Sequence, residues 1–90
     1  MHEFEISLKL KQILKKLAKR DKSRYGAVLK KIEEICQSQF MEHYKNLSYD
    51  LKDFKRVHIS SHFVLIFKFD KRNGKIRFED LQHHDDIYRR

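Results

Sequence analysis

The spacing of apolar residues changes period several times along the chain, and each change marks a new element. Phe4 and Ile6 alternate with Glu3 and Glu5, which suits a short first strand or the start of a helix. From Ser7 the period is helical. Ile6, Leu10, Ile13, Leu14, Leu17 and Ala18 share one stripe, with Lys9, Lys11, Lys15, Lys16 and Lys19 around the rest and Leu8 off the apolar face. This helix is expected to end near Arg20. Asp21 or Ser23 is then available to cap a second helix, whose stripe is Tyr25, Val28, Leu29, Ile32, Ile35 and Cys36. So short a break predicts an antiparallel helix hairpin. Gly26 weakens the second helix by about 1 kcal/mol relative to Ala, and close helix packing would account for it.

Residues 40–51 carry no clean period and read as a connector. Alternation returns in 54–60, with Val57 and Ile59 on one side and Arg56 and His58 on the other. Residues 62–70 are the strongest strand of the chain. Phe63, Leu65, Phe67 and Phe69 share one face; His62, Val64, Ile66 and Lys68 share the opposite one. The 71–74 stretch, Lys-Arg-Asn-Gly, is a hairpin turn, and 75–81 is the returning strand. If Asn73-Gly74 forms a two-residue loop, Phe69 lies opposite Phe78, Asp70 opposite Arg77, and His84 opposite Phe63. The fold expected is α+β: an N-terminal antiparallel helix hairpin packed on one face of a three- or four-stranded antiparallel sheet. The helices need the phenylalanine face, extended by Val57, Ile59, Ile76 and Phe78. The other face is then left to Arg56, His58, His62, Lys68 and Arg77.

Ninety residues make one domain, 1–90, with a modest core. A net charge of +8 points to an anionic partner: nucleic acid, an anionic membrane or an acidic protein. Hydrophobic residues at 40% argue against a disordered basic tail. The single cysteine, Cys36, forms no internal disulfide and fits a reducing compartment. No stretch has the length of a membrane span, and the first residues lack the pattern of a signal peptide. The expectation is a cytoplasmic protein. The first helix could lie on a membrane surface as an amphipathic segment, but its apolar stripe serves the helix hairpin.

Four of the six histidines, His58, His62, His83 and His84, fall in the last third. Imidazole takes and gives protons near neutral pH. His58, His62 and His84 could converge at one end of the sheet, or all could be ordinary surface residues of a basic protein. His83, His84, Asp85 and Asp86 are possible metal ligands, but adjacent strand residues point apart and no zinc-type spacing is present, so neither metal nor other cofactor is expected. Lys55, Arg56, Lys68, Arg77, Arg89 and Arg90, with Tyr44, Tyr49 and Tyr88, combine phosphate-binding charge with stacking rings. That mixture suits single-stranded RNA. Histidines and cations with an RNA substrate point to attack of a 2′-hydroxyl on the adjacent phosphodiester. A non-catalytic RNA-binding module is the plainer alternative.

The helix hairpin, the YKNLSYDLKDFKRVHI segment (44–59), the KRVHISSHFVLIFKF strand pair (55–69), the short turn and the terminal HHDDIY (83–88) resemble the RelE/ParE toxin superfamily. Within it the chain is most similar to the YafQ-like, histidine-using branch and to archaeal RelE proteins. The resemblance implies an mRNA interferase, an endoribonuclease toxin that cuts mRNA in the ribosomal A site against 16S rRNA and is held inactive by a cognate antitoxin. It implies that His58 matches the histidine of the central strand, and that His84 matches a C-terminal histidine followed four residues later by an aromatic, here Tyr88. His84 would then transfer a proton, Tyr88 would stack on a base, and Arg56 or Lys55 would meet the scissile phosphate. The family's upstream histidine aligns near Lys45, two residues from His43. Three positions depart from the family. His62 replaces an acidic residue, Val64 an arginine, and a second arginine falls near Gln82, so the arginine-based mechanism does not carry over. ParE-like members inhibit DNA gyrase instead of cutting RNA.

Overall fold

The computed structural model describes residues 1–47 and 53–83. In order these form β1 (Glu3–Ile6), α1 (Leu8–Arg20), α2 (Lys22–Gln37), a single 3₁₀ turn (Met41–His43), β2 (Lys55–Ile59), β3 (Phe63–Asp70) and β4 (Lys75–His83).

Ser7 separates β1 from α1. Its hydroxyl accepts from the Leu10 N–H (3.1 Å) and donates to the Glu79 carbonyl (2.6 Å), so one side chain both caps the helix and pins it to β4. Leu10 and Leu14 are buried, and Leu8, off the apolar stripe, is 72% exposed. One residue divides the helices: Asp21 closes α1 and caps α2, accepting from the Arg24 N–H at 3.0 Å. Val28, Ile32, Ile35 and Cys36 carry the inner face of α2. Leu29 sits at its margin and is 39% exposed, because the turn-to-turn advance carries it toward the edge of the stripe. A Cβ on Gly26 would meet nothing within 4 Å, so close helix packing is not the reason for this glycine.

The sheet order is β1-β4-β3-β2. β2, β3 and β4 form the expected antiparallel meander, while β1 joins the outside of β4 in parallel, which makes the sheet mixed. His2 fastens the start of β1. Its N–H donates to the Cys36 carbonyl (2.8 Å), and its ring bridges the carbonyls of Ser38 (2.9 Å) and Gly74 (3.2 Å). The main core lies between helices and sheet. Leu65, Phe67, Ile76, Phe78 and Leu81 meet Leu10, Val28, Ile32 and Ile35 there.

The β3–β4 turn is longer than Asn73-Gly74 alone. Asp70 pairs with Lys75, because the Asp70 carboxylate accepts from the Arg72 N–H (2.9 Å) and Asn73 Nδ2 (2.7 Å) and so closes the turn around all of 71–74. Gly74 supplies the left-handed φ of 64°. Phe67, not Phe69, therefore faces Phe78, with ring centroids 5.8 Å apart, and Lys68 faces Arg77. A bulge between Ile66 and Phe67 then makes Asp80 the partner of Ile66. Beyond it the faces of β4 exchange: Leu81 joins the helix-side core, and Phe63 lies opposite His83 instead of His84. The second sheet face is also not purely cationic. Val64 and Ile66 are buried there under Leu47, from the connector, and Phe54, just before β2.

Candidate nucleic-acid interface

The face turned away from the helices is built in rows. Arg56, Ile66 and Asp80 stand side by side across β2, β3 and β4; His58, Val64 and Gln82 form the next row. Strand alternation puts Arg56 and His58 on this face because Val57 and Ile59 are claimed by the core. His58 is exposed and Arg56 half-buried. Lys68 extends the face, its ammonium 5.5 Å from the centre of the Phe54 ring. The arrangement is an apolar strip edged by an imidazole and two cations.

His62 precedes the first residue of β3, so its position is set by the 60–62 turn, in which Ser60 takes φ 54°. Its ring stacks on that of His83, 5.9 Å away and 12° from parallel. His83 lies edge-on to Phe63 (5.4 Å), and the Arg24 guanidinium covers Phe63 at 4.3 Å. The structure thus brings together His62 and His83. His84 and Tyr88 lie outside the described residues, as do Tyr49, Arg89 and Arg90.

The other predicted RNA-binding residues divide by location. Lys55 belongs to the helix-side parity of β2. Its ammonium donates to the Tyr44 carbonyl (3.2 Å) and Asn46 Oδ1 (2.9 Å). Lys45 is exposed, and its carbonyl accepts from the Arg56 N–H at 2.9 Å. His43 lies on the 3₁₀ turn with its ring 4.1 Å from that of Tyr44. Lys45 and Lys55 line a cleft of about 510 Å³ beyond the edge of β2, together with Lys71. Arg77 is engaged with carboxylates. Its Nη1 donates to Glu5 at 2.8 Å and its Nε pairs with Glu79. The hydrogen bond from Arg77, with the charge of Lys75, holds the Glu5 carboxyl below the usual range, and the bond to Glu5 with the charge of Glu79 raises Arg77.

Sequence reasoning passed over the Asp80 cluster. Asp80 is a buried carboxylate on the away face. It accepts from Lys9 Nζ (2.9 Å), from the Leu81 N–H (2.8 Å) and from Gln82 Nε2. No pattern in residues 77–82 announces the bulge that turns Asp80 to this side. Among the described residues, no three His, Cys, Asp or Glu side chains gather as a metal site, and no helix is long and apolar enough to cross a membrane.

Set beside known proteins, the chain is 52% identical over 90 residues to "Putative toxin RelE4" of Methanocaldococcus jannaschii, covering 100% of this chain and 94% of that one. The chain belongs to the RelE toxin family. No family model matches it. The fold of this RelE-family toxin is shared with solved structures of very different sequence. The YoeB/ParE toxin from Agrobacterium tumefaciens superposes with a TM-score of 0.78 at 10% identity, over 91% of this chain and 98% of that one. The toxin–antitoxin complex RelBE2 from Mycobacterium tuberculosis gives 0.62 at 14% identity, over 92% and 98%. Membership therefore rests on the archaeal relative, and the solved structures show the α+β fold alone.

Proposed function

We propose that this RelE-family toxin is a metal-independent endoribonuclease that cuts mRNA on the ribosome, in the cytoplasm, and is silenced by a cognate antitoxin. The observation that carries the reading is the pairing of Arg56 and His58 on one sheet face, beside an apolar strip and Lys68, in a chain of net charge +8. A 2′-hydroxyl attacks the neighbouring phosphorus, the P–O5′ bond breaks, and the products are a 2′,3′-cyclic phosphate and a free 5′-hydroxyl. His58 and His84, with His62 near the sheet end, are the groups to take the 2′ proton and return one to the leaving 5′ oxygen. Arg56 stabilises the doubly charged phosphorane. Tyr88 stacks on a base, Lys45, Lys55 and Lys68 supply the field that draws in RNA and 16S rRNA, His43 adds a ring for stacking, and Arg77, held by Glu5 and Glu79, borders them. The antitoxin partner is supported by the solved RelBE2 complex, which pairs a toxin of this fold with its antitoxin.

Expression of the toxin alone is expected to arrest growth and leave cuts inside translated codons, with cyclic or 3′-phosphate ends, in the presence of chelator. His58→Ala and His84→Ala are expected to lower cleavage by roughly 10²–10⁴-fold each. Products with 3′-hydroxyl ends refute the chemistry. Intact mRNA with altered DNA supercoiling refutes the nuclease reading in favour of gyrase inhibition.

A further inference from the structure

The Asp80 cluster walls a groove of about 200 Å³ on the away face. This is smaller than the roughly 300–1,000 Å³ of sites for drug-sized ligands, and fits one flat ring system. Leu47, Phe54 and Ile66 supply apolar surface; Lys9, Asp80, Gln82 and Glu79, the last paired with Arg77, supply the polar side. β1 explains the opening. It pairs with β4 only as far as Phe78, so beyond that point Lys9 reaches past the end of β1 to Asp80, 71 residues away in sequence.

The hydrogen bonds fix the chemistry that the groove offers. A carboxylate only accepts, and Asp80 takes a hydrogen bond from Lys9 at 2.9 Å. The Gln82 amide must therefore turn its NH₂ toward Asp80, which leaves its carbonyl oxygen directed away from the carboxylate. A free glutamine can present either end; this one is held as an acceptor. Gln82 shares its row with Val64 and His58, next to the row of Arg56.

We propose that this groove reads one base of the RNA, with Gln82 as the specificity-determining acceptor and Asp80, held by Lys9, as the residue that positions it. The apolar side takes the face of the ring, and the Gln82 carbonyl accepts from an exocyclic amino group. Adenine, cytosine and guanine carry such a group; uracil offers only its ring N3–H, flanked by two carbonyl oxygens that oppose the acceptors of the groove, so one position of the cleaved sequence disfavours uracil. The inference rests on the ribonuclease reading.

The test is to map cuts in a transcript translated with wild-type toxin, Gln82→Leu and Asp80→Asn, with thermal melts to confirm folding. Wild type is expected to disfavour uracil at one fixed position by about tenfold, in keeping with the discrimination of a single base contact. Gln82→Leu is expected to abolish that bias. Asp80→Asn, whose amide can also donate and so releases the orientation of Gln82, is expected to weaken it several-fold while the cut sites persist. An unchanged cleavage spectrum in folded Gln82→Leu overturns the proposal and leaves the nuclease reading standing. Absence of any cut by wild-type toxin overturns both.

Discussion

Glu5 stands where β1 meets β4, within reach of Arg77 and Lys75. Its folded pKa is lowered, chiefly by the hydrogen bond from Arg77. The contribution of this carboxylate to stability is therefore present above its unfolded pKa and disappears as pH falls through the lower folded one. Wild type is expected to melt higher than Glu5→Gln near neutral pH, and the gap to close in acid as the pH falls through the lowered folded pKa; paired thermal melts at neutral and acid pH check this. At Cys36 burial works in the other direction, pushing the thiol up and keeping it neutral. Both residues could be named from sequence, but only their surroundings decide what each does. Gly26 is a further case. A local rule flagged it as a weak point, and the structure removes the packing explanation, since an added Cβ meets open space. Gly26→Ala is expected to stabilise the protein by about 0.8–1 kcal/mol, read as a shift in denaturation midpoint.

The elements were legible where a period runs long. α1 runs between Ser7 and Asp21, and α2 begins at Asp21, because the cap and the stripe agree there. β3 was equally plain from Phe63, Leu65, Phe67 and Phe69. Ser7 shows how an element boundary becomes a tertiary joint, because its hydroxyl serves the helix end and the Glu79 carbonyl together. Ser7→Ala is expected to cost about 1–2 kcal/mol, the upper range for a lost cap, since a second hydrogen bond goes with it; chemical denaturation measures it. The β3–β4 turn is two residues longer than Asn-Gly suggests, because that dipeptide by itself favours the shortest loop. The Asp70 side chain, which closes the longer one, acts outside that two-residue motif.

For the whole molecule, the charge of +8 and the single row of core-facing strand residues left one broad sheet face for an anionic ligand. That face is narrower than alternation alone suggests, because Leu47 and Phe54 cover its middle. Binding to RNA or ribosomes is expected to weaken steeply with salt, log K falling linearly with log salt concentration and each lost phosphate contact shallowing the slope by about 0.7 for single strands. Lys68→Ala and Arg56→Ala are expected to shallow it, and titrations at several ionic strengths will show whether they do.

Reading along the chain was enough for the helix hairpin, the faces of β2 and β3, the cationic balance and the kinship with RelE toxins. These depend on spacing within one element, on composition, or on matching residues in order, and all three are local in the chain. The parallel seat of β1, the exchange of faces at the bulge, the meeting of His62 with His83, and the contact of Lys9 with Asp80 emerge only when the chain is folded. Each joins residues that are distant in sequence or depends on a one-residue change in pairing. A slip of one residue reverses every face beyond it, so no local pattern could carry that information.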